Sequence, residues 1–230
     1  MTKKHYFMLL WALCSVVMIA RMIESCINTY YIETQFPLFL YIVFYVSMIC
    51  VNGIFLFLGM NFASKIGMRF LLLEKHVDWS RDLFKPAVVV SVVYVLVVLV
   101  VDPFIPLGKI YVPEGRSFFA LLMKLFTAIS ADAIMLLFLL SGLALFLKKI
   151  GKNISVSIIM LMSILLIALI SGLSIDLWWR FGVVTFLFKV MMSLVLGGIF
   201  WRKGLEAELL CHIIVVIMLY AIAPQLVLSS

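Results

Sequence analysis

The chain has 230 residues, of which 66% are hydrophobic and only 13% charged, with a formal net charge of +7. So few charged side chains cannot cover the surface of a water-soluble globule, which excludes the soluble classes of protein. The composition predicts an all-α fold, a polytopic helical bundle in a membrane.

The apolar runs give the number of helices. A bilayer core about 30 Å thick needs roughly 20 mostly apolar residues per helical crossing. Seven runs meet or approach this length, which predicts about seven transmembrane helices. In chain order they are Tyr6–Ile23, Pro37–Ala63, Ala87–Val101, Phe118–Leu147, Ile154–Ile175, Phe181–Trp201 and Ala207–Leu228. The Val-rich third run would suit a buried strand in a soluble protein, but its length and neighbours favour a short helix.

Lys and Arg placement orients the bundle, since basic residues are retained in cytoplasmic loops. With the N-terminus inside, twelve of them fall on the cytoplasmic side: Lys3, Lys4, Lys65, Arg69, Lys75, Arg81, Lys85, Lys148, Lys149, Lys152, Arg202 and Lys203. Four fall outside, namely Arg21, Lys109, Arg116 and Arg180. This bias predicts a cytoplasmic N-terminus and explains the positive charge without nucleic-acid binding. No small-x-small cleavage site follows the first run, which we interpret as a retained anchor.

The loops divide the chain into two regions. Residues 1–117 form an N-terminal membrane region of three helices, whose charged cytoplasmic loop Ser64–Lys85 is predicted to lie along the interface as an amphipathic helix. Residues 118–230 form a membrane core of four helices. The four cysteines show no paired spacing that indicates zinc or redox chemistry.

Asp132 and His212 are the polar residues that indicate a site. Asp132 is the only acidic residue of the fourth run, within Thr127-Ala128-Ile129-Ser130-Ala131-Asp132. His212 lies in the last run. Because ionisable groups within a membrane are costly, they usually mark a functional site and need a partner.

A family resemblance rests on the end of the sixth run and the turn after it. It reads Gly197-Gly198-Ile199-Phe200-Trp201, then the basic pair Arg202-Lys203, then Gly204-Leu205-Glu206-Ala207, and it ends at His212. This pattern resembles the last conserved block of the CPBP family. These are the CAAX-protease and bacteriocin-processing (Abi) membrane proteins. The resemblance covers roughly Phe118 to Pro224 and implies an intramembrane endopeptidase fold.

The resemblance also implies where catalytic groups should lie. The family's first motif, Glu-Glu-x-x-x-Arg, aligns with Ala131-Asp132 and Leu136. Its second motif, Phe-x-x-x-His, aligns with Ser171 and Ile175. Its last motif, His-x-x-x-Asn or Asp, aligns with His212 and Val216. Five positions have therefore lost the family's residue type: Ala131, Leu136, Ser171, Ile175 and Val216. Asp132 and His212 remain as vestigial candidates.

The losses predict a catalytically inactive protein. Activating water takes a metal with about three protein ligands, or a general base with further oriented groups. One aspartate and one histidine are too few, so we expect no metal, no cofactor and a chamber filled by aliphatic side chains. The predicted function is that of a pseudoprotease of the bacterial cytoplasmic (inner) membrane, surrounded by lipid, that binds another membrane protein or a peptide.

The alternative is an active intramembrane endopeptidase that uses Asp132 and His212 with other groups. A small transporter is less favoured, because neither paired broken helices nor duplicated halves are evident.

The partner of Asp132 stays open between two choices. One is a bond to His212; the other is a neutral Asp132 bonded to the hydroxyl of Ser130 or Ser171. Depth argues against the first, since Asp132 lies ~22 Å and His212 ~14 Å from the cytoplasmic ends of their helices at 1.5 Å per residue. Lys189 is a weaker candidate partner within the bundle. Lys124 is expected to reach the outer interface.

Overall fold

The helices follow the predicted order of apolar runs. The structure, a computed structural model, describes residues 1–32, 38–101, 118–151, 153–172 and 175–227, and no strand occurs within these ranges. The α-helices are α1 Lys3–Ile32, α2 Leu38–Lys65, α3 Lys85–Val101, α4 Phe118–Asp132, α5 Ser141–Ile150, α6 Val156–Gly172, α7 Ile175–Lys203 and α8 Leu205–Val227. The predicted all-α class is confirmed, and the Val-rich third run is a helix.

Two π-helical stretches continue the α-helices. Ser80–Phe84 leads into α3, and Ala133–Leu140 joins α4 to α5, so that residues 118–150 form one uninterrupted helical rod. A short 3₁₀ turn, Leu71–Leu73, lies between α2 and α3.

Several helices have the length and composition of membrane spans. Within the described ranges, four are long and apolar enough to cross a membrane: Lys3–Ile23, Phe39–Lys65, Ser80–Val101 and Leu121–Ile150. A shorter apolar helix covers Val156–Ile170. These helices agree with the membrane protein that the composition predicts. The number seven and the orientation stay predictions.

Two buried apolar clusters hold the bundle together. The first joins α1 and α2 to the π-helix and α6, and includes Leu10, Leu56, Leu137 and Met160. The second joins α3 to α7 and α8, and includes Val95, Leu196, Ala207, Cys211 and Val215. Where α4 meets α8, polar side chains from each of these two helices lie together.

Helix α2 approaches the π-helix backbone closely at Gly59. A Cβ atom at this position would lie 2.7 Å from the carbonyl carbon of Leu137, which is closer than real Cβ contacts. Beside the glycine, the rings of Phe55 and Phe138 stack with centroids 4.4 Å apart. The hydroxyl of Ser141 donates a 3.1 Å hydrogen bond to Leu136 O, a carbonyl of the π-helical stretch. Packing and this side-chain bond together support the wider i→i+5 turns.

The loop between α2 and α3 folds back onto the α7–α8 turn. The predicted amphipathic helix over Ser64–Lys85 is wrong, because the chain turns at Gly67 (φ 83°) and buries Phe70 and Leu71 in the bundle. Glu206 Oε1 accepts a 3.0 Å hydrogen bond from Leu72 N. The loop therefore docks on the bundle and does not lie along its edge.

A charge network fixes the same end of the bundle. Arg69 donates to both carboxylate oxygens of Glu74, at 2.9 and 2.7 Å, and contacts Asp82 at 3.3 Å. Lys203, the last residue of α7, contacts Asp82 at 2.9 Å. The guanidinium of Arg69 lowers the pKa of the Glu74 carboxyl, mainly through its hydrogen bonds. Basic residues that the sequence assigns to the cytoplasmic side thus gather at one end.

Candidate functional site

Asp132 and His212 are in direct contact. His212 Nδ1 donates a hydrogen bond to Asp132 Oδ2 across the interface between α4 and α8. Of the two partners left open by the sequence, the structure therefore selects the histidine. Ser130 is buried and faces Cys14 of α1, while the side chain of Ser171 lies outside the described residues.

The structure overturns the depth argument against this contact, and the π-helix accounts for part of the difference. Asp132 is the last residue of α4, immediately before the π-helical stretch Ala133–Leu140. Since i→i+5 hydrogen bonds enclose more residues per turn than α-helical bonds, this stretch advances less along its axis per residue. The helical rod therefore brings Asp132 closer to the cytoplasmic end than an ideal α-helix would.

Glu208 completes the cluster, and the sequence analysis missed it. It lies one turn before His212 on α8, so both side chains point to the same face of the helix. One potential ligand atom from each of Asp132, Glu208 and His212 lies within 4.8 Å of the other two. The spacing of four residues between Glu208 and His212 was the available signal, since the last apolar run, Ala207–Leu228, contains both residues.

The Glu208 carboxylate is buried beside the carboxylate of Asp132. The residue is 0% exposed. Neither of its carboxylate oxygens has a hydrogen-bond partner in the described part of the chain, and the nearest charge is the Asp132 carboxylate. A carboxylate in such surroundings is costly unless a proton or a cation accompanies it.

No Lys or Arg side chain that the structure describes forms an ion pair with either carboxylate. Among the residues that the structure describes, Asp132 forms an ion pair with His212 alone, and no Lys or Arg pairs with Glu208. Lys189 is thus not the partner of Asp132. The side chain of Lys124 lies outside the described residues.

The cluster lies close to the end of the bundle that carries the basic residues. Glu208 is three residues and His212 seven residues after Leu205, where α8 begins, which places them ~4.5 and ~10 Å along the helix axis. The side chains of Asp132 and His212 are 17% and 20% exposed. The edge of the cluster is therefore accessible, while Glu208 lies behind it.

Three of the other motif positions carry apolar side chains that offer no ligand to the cluster. Leu136 and Val216 are buried among apolar side chains, 7% and 1% exposed. Ala131, at the position of the family's first acid, is exposed. Ser171 and Ile175 belong to described helices, but their side chains lie outside the described residues.

Two carboxylates and an imidazole can share protons or ligate a metal ion. Three protein ligands of these types are the number that catalytic zinc sites use. The prediction of no metal counted only Asp132 and His212 as possible ligands. The structure adds Glu208 as a third.

Comparison with known proteins gives no match: no protein-family model, no curated protein and no solved structure matches the chain. The resemblance to the CPBP family stays a prediction.

Proposed function

We propose that this chain is a catalytically inactive CPBP-like protein of the bacterial cytoplasmic membrane that binds a membrane protein or peptide. In this proposal it has seven transmembrane helices and a cytoplasmic N-terminus. The observation that carries it is the contact between Asp132 and His212, the two surviving motif residues, which engage each other.

The surroundings of this pair support a role without hydrolysis. A general base must reach the water that it deprotonates, but His212 Nδ1 is engaged by Asp132. Glu208, the third ionisable group, has no exposed surface. Apolar side chains fill the positions of Leu136 and Val216, where the family places an arginine and an amide or acid.

Polar groups at membrane depth favour a binding role. Lipid tails offer no hydrogen bonds, so a membrane segment with an unsatisfied backbone or side-chain group gains free energy by contacting such groups in a protein. The partly exposed edges of Asp132 and His212 offer that contact. The partner that fits is a membrane peptide or helix with a polar group near the cytoplasmic end of its span.

Site-specific crosslinking in membranes tests this function. A photoreactive benzoylphenylalanine at Ala131, which is exposed beside Asp132, should capture a discrete membrane polypeptide. The same group at Phe44, 57% exposed on α2, serves as the lipid-facing control. Capture at Ala131 should disappear in the Asp132→Asn, His212→Ala double variant. Equal capture in that variant, or no polypeptide at Ala131, would contradict the proposal.

A second function, active intramembrane proteolysis, is favoured by one observation, the presence of Glu208 beside Asp132 and His212. Purified protein incubated with fluorogenic membrane peptides should show no cleavage if the first proposal is right. Reproducible cleavage that Glu208→Gln and His212→Ala both abolish would establish the peptidase instead. Glu74→Gln alters a carboxylate outside the cluster and is the control variant, which should cleave like the wild type.

A further inference from the structure

We propose that Asp132, Glu208 and His212 form a binding site for one divalent transition-metal ion of the zinc type. The site shares Asp132 and His212 with the proposed partner-binding surface, and a bound ion would replace the hydrogen bond between them by two bonds to the metal. The two carboxylates and the imidazole belong to the ligand types that Zn²⁺ accepts.

The geometry needs only a small adjustment. The three potential ligand atoms lie within 4.8 Å of one another, whereas bonds of about 2.0–2.2 Å place the donors of a tetrahedral zinc ion ~3.4 Å apart. Rotation of the carboxylates of Asp132 and Glu208 about their side-chain bonds covers this difference. Glu208 and His212, one turn apart on α8, converge on a common point from a single rigid helix.

Glu208 is the independent observation that indicates a cation. Its carboxylate is completely buried beside that of Asp132, and no N–H group or cation within the described ranges reaches its oxygens. A divalent ion would balance both carboxylates at once and would give Glu208 the contact that it lacks. A protonated, purely structural Glu208 is the competing explanation, and it predicts no specific metal uptake.

The site has room for solvent on one side only. Asp132 and His212 are partly exposed, while Glu208 closes the inner side. Three protein ligands leave one tetrahedral position, which a polar group of the bound partner would fill in place of water. Ions would enter from the end of the bundle where α8 begins.

Metal content of the purified protein tests the proposal. The protein is stripped with a chelator in detergent, incubated with ZnCl₂, desalted and analysed by mass spectrometry of the metal. We expect about one zinc ion per chain, as for a single three-ligand site, and a loss of more than about tenfold in Glu208→Gln and in His212→Ala. Glu206→Gln, two residues away on the same helix and outside the cluster, should keep the metal. His5→Ala controls for adventitious binding at an exposed histidine.

Two further readouts keep the result interpretable. Zn²⁺ should raise the thermal midpoint of the wild type by about 5 °C at saturating concentration and leave that of Glu208→Gln unchanged. Co²⁺ should give the wild type a visible absorption band of tetrahedral type that Zn²⁺ abolishes.

If Glu208→Gln cannot be purified, the Co²⁺ band of the wild type decides: its presence supports the site and its absence overturns it. Equal zinc uptake by the wild type and both site variants would also overturn it.

Discussion

His212 Nδ1 donates a hydrogen bond to Asp132 Oδ2 although 80 residues separate the two along the chain. The bond links α4 to α8, which carry the two residues. It therefore has a structural role in addition to any role in binding.

Removing the acceptor should destabilise the protein. In Asp132→Ala the half-buried imidazole loses this hydrogen bond, and loss of such a partner costs about 1–3 kcal/mol. Asp132→Asn keeps an acceptor oxygen at the same place and should cost less. Thermal unfolding of both variants in detergent, with the wild type beside them, measures the difference. Equal midpoints for Asp132→Ala and the wild type would show that the bond contributes nothing to stability.

Gly59 should tolerate no side chain, because the π-helix backbone lies against it. A Cβ atom would meet Leu137 C at 2.7 Å and Leu137 O at 2.8 Å, and backbone atoms cannot move aside as a side chain can. Overpacking of this kind typically costs about 1–3 kcal/mol. We expect Gly59→Ala to lower the thermal midpoint by several degrees.

The matched control for this substitution is Gly142→Ala on the facing helical rod. Its Cβ would meet only the ring of Phe62, at 3.3 Å, and a ring can shift by the few tenths of an ångström required. Gly142→Ala should therefore be close to neutral. If the two variants unfold alike, the close approach at Gly59 is not a constraint on the fold.

The sequence predicts the helices well, because apolar run length alone determines where the chain can cross a bilayer. It also identifies Asp132 and His212, because an ionisable residue stands out in an apolar run. The missed member, Glu208, lies at the start of the last apolar run, just after a turn rich in charged residues. Its role depends on which face of α8 is turned toward α4, and tertiary packing sets that rotation.

The π-helix could not be predicted for a similar reason. Nothing in the composition of Ala133–Leu140 distinguishes it from an α-helix. The wider turns are supported by contacts with Gly59 and by the Ser141 hydroxyl, and the chain alone does not reveal such contacts. The depth estimate for Asp132 assumed an ideal α-helix, and the π-helical stretch shortens the rod by part of the difference.

The ion pair between Arg69 and Glu74 should make stability depend on pH in the acid range. Arg69 lowers the pKa of Glu74 in the folded protein relative to its ordinary value of 4.5. A carboxyl with a lowered folded pKa contributes stability above its unfolded pKa and loses that contribution as the pH falls through the folded value. Because the pair is about one-third exposed, we expect only about 0.2–1 kcal/mol at neutral pH.

Unfolding of the wild type and of Glu74→Gln at a series of pH values checks this expectation. The difference between the two should be largest at pH 7 and should vanish at pH values below the folded pKa of Glu74. High salt should reduce it at neutral pH, since partly exposed pairs are screened. A difference that does not change with pH would mean that Glu74 acts through packing.

The turn at Gly204 should be the glycine position most sensitive to substitution at the cytoplasmic end. Its φ of 99° lies in the left-handed region, which costs other residues about 1–2 kcal/mol. A Cβ atom would also lie 2.9 Å from Arg69 O, so Gly204→Ala combines backbone strain with a clash against the docked loop. Because this turn sets the direction in which α8 leaves α7, the substitution should weaken the positioning of Glu208 and His212 together with overall stability.

Gly198→Ala on α7 is the matched control for Gly204→Ala. A Cβ atom at Gly198 would meet nothing within 4 Å, and alanine is favoured over glycine within a helix by about 1 kcal/mol. Gly198→Ala should therefore equal or exceed the wild type in thermal midpoint, whereas Gly204→Ala should fall below it by several degrees. A Gly204→Ala protein as stable as Gly198→Ala would require that the turn adopts another conformation, in which Gly204 no longer contacts Arg69.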